Sequence, residues 1–89
     1  RSLVAFEAAP ELSRARLSDL LAAAALKPRS LVLYRSERGP TACLAEVDGL
    51  VEAGDRRLAG LVDAGLAGPA VIGGWPVPPP ESAFAAAPE

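Results

Sequence analysis

Residues 30–46 read Ser-Leu-Val-Leu-Tyr-Arg-Ser-Glu-Arg-Gly-Pro-Thr-Ala-Cys-Leu-Ala-Glu, and this stretch decides the fold. Residues 30–34 form a short run rich in Leu, Val and Tyr, which reads as a strand. Residues 41–46 read as a weaker strand. Between them, residues 35–40 are polar and end in Gly39-Pro40, the punctuation of a turn. The chain therefore carries a β-hairpin near its middle.

What flanks the hairpin sets the topology. Upstream, residues 11–26 place Leu12, Leu17, Leu20, Leu21, Ala24 and Ala25 at helical spacing, with Ser13, Arg14, Arg16 and Asp19 opposite. Pro10 suits the first turn of that helix, and Lys27-Pro28 is expected to stop it. Further upstream, residues 2–7 read as a first strand. Downstream, Asp48 is expected to cap a second helix striped by Leu50, Val51, Leu58, Leu61, Val62 and Leu66, with Gly65 or Gly68 ending it. Gly54 and Gly60 weaken that helix and permit close approach of another backbone. Residues 69–75 read as a last strand, and Pro76, Pro78, Pro79 and Pro80 then favour extended geometry.

The order is strand, helix, strand, strand, helix, strand, the split βαβ pattern. We expect an α+β, ferredoxin-like βαββαβ domain. Its four-stranded antiparallel sheet carries two helices on one face and a Pro-rich C-terminal tail. The 89 residues read as a single domain, with a core over about 2–78 and a tail over 79–89. A domain this small buries only ~60–65% of its unfolded surface, so self-association is one route to further burial.

Composition narrows function. Net charge is −2 and the basic residues are scattered, which argues against a nucleic-acid partner. No apolar run approaches the ~20 residues of a membrane span, and the N-terminus has no signal-peptide pattern. The lone Cys43 forms no internal disulfide and reads as a buried small hydrophobe in a reducing, cytoplasmic setting. The chain has no histidine, which closes the Ser-His-Asp, Cys-His and most zinc routes. We therefore expect no enzyme activity, no metal and no cofactor. Arg56-Arg57 reads as an exposed helix face. Gly73-Gly74 lacks the strand-to-helix context of a phosphate loop. The proline run is a nonspecific candidate ligand for an SH3-like partner.

Several spacings together resemble the shell-forming domain of bacterial microcompartments. Leu3, Val4, Ala5, Phe6 and Glu7 stand where that family ends its first strand. Asp19 lies in an alanine-rich first helix. Leu33-Tyr34 stands at the end of the second strand. Val47-Asp48-Gly49 is similar to the motif that opens the family's second helix, and Trp75-Pro76-Val77-Pro78 in part matches the one that ends the last strand. With a two-residue insertion near Arg29, the match runs ungapped from Leu3 to Pro78.

The resemblance implies a cyclic hexamer or pseudo-hexamer in a cytoplasmic microcompartment shell, meeting other shell proteins and passing small polar metabolites. It places Ser36, Glu37, Arg38 and Gly39 around a central pore. It places Ala23, Lys27, Pro76, Val77 and Pro78 at assembly interfaces. Two positions depart from the family. Ala23 replaces an edge-contact lysine and Val77 an arginine, so flat tiling with copies of itself is expected to weaken. A small-molecule-binding regulatory module of the same topology is the alternative reading.

Overall fold

The computed structural model of the chain describes residues 2–73. Its elements run β1 (Ser2–Ala8), α1 (Arg14–Ala23), β2 (Pro28–Tyr34), β3 (Thr41–Val47), α2 (Arg56–Asp63) and β4 (Ala67–Gly73). The four strands form one sheet in the order β2-β3-β1-β4, with every neighbouring pair antiparallel. This is the expected α+β, ferredoxin-like arrangement.

Strand alternation builds the core. Val4, Phe6 and Ala8 of β1 pair with Ala45, Cys43 and Thr41 of β3, and Leu31 and Leu33 of β2 pair with the same Ala45 and Cys43. Together they form one face of the sheet. Onto it pack Leu17 and Leu21 of α1 and Leu58 and Leu61 of α2, joined by Leu26, Val51 and Leu66. The small side chains of Cys43 and Ala45, in a central strand, leave room for the leucines of both helices in one close-packed layer.

Both helices end in the same way. At α1, the Leu26 N–H donates to the Leu21 carbonyl at 2.8 Å and the Ala25 N–H to the Ala22 carbonyl at 2.9 Å. At α2, Leu66 donates to Leu61 at 3.0 Å and Gly65 to Val62 at 2.9 Å. These are Schellman motifs, with Leu26 and Leu66 turning into the core. They, rather than Lys27-Pro28, terminate α1. Pro28 instead opens β2 opposite Val47, which the first residue of an edge strand permits.

Further boundaries differ from expectation. The first helix begins at Arg14, because Ser13 caps it by accepting from the Arg16 N–H at 3.1 Å. Pro10 lies in a turn closed by the Leu12 N–H to Ala9 carbonyl bond at 3.1 Å. The second helix is capped by Asp55, not Asp48. Gly49 is left-handed (φ +81°) and diverts the chain into a loop in which Val51 is buried and Leu50 is 75% exposed. The last strand begins earlier, at Ala67, and Trp75 lies outside the described residues. Gly60 does approach the other helix: a β-carbon there would sit 3.4 Å from Ala24 Cβ.

Candidate functional site

The hairpin turn gathers all four residues expected at a pore. Ser36, Glu37, Arg38 and Gly39 are exposed at one tip beyond β2. The Ser36 hydroxyl donates to the Arg38 carbonyl, and Gly39 closes the turn with φ +89°. The base of the turn is held by Arg35. Its Nη1 donates to the Pro10 carbonyl at 3.1 Å and to Thr41 Oγ1 at 3.3 Å, and its Nη2 to the Leu12 carbonyl at 2.9 Å. One planar guanidinium thus ties the hairpin to the loop between β1 and α1. The result is a carboxylate and a guanidinium displayed on a braced, solvent-facing tip.

A second feature lies at the far end of α1. A cavity of about 280 Å³ is lined by Ala25, Leu26, Lys27, Val47, Asp48 and Arg57. Arg57 is gripped by the cap residue of its own helix: Nε meets Asp55 Oδ1 at 3.0 Å and Nη2 meets Oδ2 at 2.8 Å. Asp55 Oδ1 also accepts the Arg57 backbone N–H at 2.9 Å. These hydrogen bonds, side-chain first and backbone second, lower the Asp55 carboxyl to about 2. Asp48, at the rim, meets Arg29 at 3.4 Å in an exposed pair. Such a pair contributes little. Of the residues expected at assembly interfaces, Ala23 and Lys27 are exposed at this end of α1, and Lys27 lines the cavity. Pro76, Val77 and Pro78 lie outside the described residues.

Cys43 is buried in the core, and its Sγ donates to the Thr41 carbonyl at 3.6 Å. Burial pushes its thiol up to about 11, against a smaller opposing pull from Arg35. It is a thiol, not a nucleophilic thiolate, at neutral pH. Among the described residues no group of His, Cys, Asp and Glu is placed to hold a metal, and no helix is long and apolar enough to cross a membrane.

Two structural roles were hidden from the sequence. Ser2 is buried, donating to the Gly49 carbonyl at 3.1 Å and accepting from the Val51 N–H at 3.0 Å. Nothing local marks it, because its partners stand 47 and 49 residues away. The Asp55–Arg57 fork was closer to hand: an Asp directly before Arg-Arg, at the head of an apolar periodic run, is the signal for it. Comparison with family models, with curated proteins and with solved structures finds no match.

Proposed function

We propose that this chain is a non-catalytic structural subunit of the microcompartment-shell kind, acting in the cytoplasm through assembly with copies of itself and with other shell proteins. The observation that carries this reading is the braced polar tip of the hairpin. Ser36, Glu37, Arg38 and Gly39 stand exposed on a base held by three Arg35 hydrogen bonds. Around a cyclic axis such a tip repeats as rings of carboxylate and guanidinium. Charged rings of this kind pass or reject small polar solutes by field and size. Light scattering and electron microscopy of the full chain test it. Rings of six-fold or pseudo-six-fold symmetry with a central opening are the expected result, and a strict monomer at high concentration overturns it.

The cavity beside Lys27 and Arg57 favours a second reading, a regulatory module that binds a small molecule. That reading expects a dimer and a saturable, ligand-dependent rise in melting temperature. The two readings separate on particle size alone.

A further inference from the structure

The cavity at the end of α1 has walls of two kinds. Leu26 and Val47 belong to the hydrophobic core and give it an apolar wall. Lys27, Asp48 and Arg57 give it charge. Its volume of about 280 Å³ stands at the low end of the ~300–1,000 Å³ typical of ligand pockets, which suits a ligand of few heavy atoms.

The charged groups are not equivalent. Asp55 fixes the Arg57 guanidinium through Nε at 3.0 Å and Nη2 at 2.8 Å. The remaining nitrogen, Nη1, makes one long bond of 3.5 Å to the carbonyl of Ala25, itself a lining residue. A cation already held in one geometry loses little freedom when a ligand arrives. Asp48 is met by Arg29 at 3.4 Å. Among the described residues, no hydrogen bond or ion pair engages the Lys27 ammonium. Three cations, Lys27, Arg29 and Arg57, therefore stand against two carboxylates, Asp48 and Asp55, and the charge left over is the one on Lys27. A single negative charge balances it. A second would leave an excess and bring like charge toward Asp48.

We propose that this cavity binds a short, apolar monocarboxylate. Its carboxylate accepts from Lys27 Nζ and Arg57 Nη1, and its hydrocarbon end lies on Leu26 and Val47. Charge-assisted hydrogen bonds fix the head, and burial of apolar surface holds the tail. Asp48 supplies specificity by disfavouring a second negative charge on the ligand. The proposal rests on the second reading above, in which the cavity takes a small molecule, and it names the class of that molecule.

The test is an NMR titration of the full chain, labelled with ¹⁵N, with sodium butyrate at constant ionic strength. Saturable shifts are expected at the amides of Leu26, Lys27, Asp48 and Arg57. Inorganic phosphate and butylammonium serve as comparison probes and are expected to bind several-fold more weakly there. Lys27 is exposed, so Lys27→Gln is expected to retain its far-UV circular dichroism while weakening butyrate binding several-fold. Arg16→Gln removes the same charge from an exposed position in the first turn of α1 and is expected to leave that binding unchanged. Phosphate or butylammonium saturating the same amides as tightly as butyrate overturns the monocarboxylate assignment and leaves the small-molecule reading standing. No saturable response at these amides to any of the three probes overturns the assignment and that reading together. Unchanged butyrate affinity in Lys27→Gln places the carboxylate elsewhere and overturns the proposal.

Discussion

Ala25 closes α1 in the left-handed region (φ +62°), where its counterpart at the end of α2 is Gly65 (φ +94°). The two helix ends share one hydrogen-bond pattern, so they form an internal comparison. An L-residue in this conformation costs roughly 1–2 kcal/mol that glycine avoids, offset in part by the greater freedom of glycine in the unfolded chain. Ala25→Gly is therefore expected to stabilise the protein by about 1 kcal/mol. Urea unfolding checks this as a raised midpoint at unchanged slope, and a lowered midpoint refutes it. Cys43 makes a pH-dependent contribution. The thiol ionises at about 11 in the fold against 9.0 in its ordinary state. The folded chain therefore holds this proton to higher pH than the unfolded one. The associated stability is complete below pH 9 and is lost as pH rises toward 11, on the order of 2 kcal/mol in all. The loss is read as the difference in alkaline pH profile between wild type and Cys43→Ala, and identical profiles would exclude the thiol as its source.

The eight residues of α2 depend on their cap more than the ten of α1 do. A helix of two turns is marginal by itself, so its ends and its tertiary packing decide whether it forms. Asp55 serves both as acceptor for the Arg57 N–H and as partner of the Arg57 guanidinium. Asp55→Ala is expected to lower the melting temperature by several degrees, while Asp55→Asn retains most of the capping. The carboxylate is held at about 2 against 3.8 unfolded, so its stabilisation is present above pH 4 and is lost as pH falls toward 2. The Asn variant is expected to lack that acid-dependent loss, and an unchanged acid limb in Asp55→Asn would show that the loss arises elsewhere. The position of this cap was only partly legible. Asp48 and Asp55 both precede apolar periodic residues. The left-handed Gly49 and the burial of Val51 in a loop exclude Asp48, and neither is visible in a hydrophobic pattern.

For the whole molecule, sheet pairing joins residues far apart in sequence, and side-chain hydrogen bonds add to it. Ser2 holds the loop after β3 against the start of β1, satisfying the Gly49 carbonyl and the Val51 N–H. Ser2→Ala leaves two backbone groups without that partner and is expected to cost about 1–3 kcal/mol. Hydrogen exchange at the Val51 amide is expected to accelerate along with it, and unchanged exchange would show that the hydroxyl is dispensable. Much of the fold was readable from the amino-acid sequence. The hairpin at 30–46, the flanking helical spacings of Leu17 with Leu21 and of Leu58 with Leu61, and the absence of histidine are local properties of pattern and composition. The patterns determined the element order and the α+β class, and the composition excludes any step that needs a histidine of this chain. The candidate site was legible only as a polar turn. Tertiary structure alone decided that Arg35 braces it on Pro10 and Leu12, that Lys27 and Arg57 line one cavity, and that Leu3 and Val32 are buried. The physical reason is that sheet register couples residues tens of positions apart, whereas periodicity in a sequence reports only on neighbours within a turn or a strand.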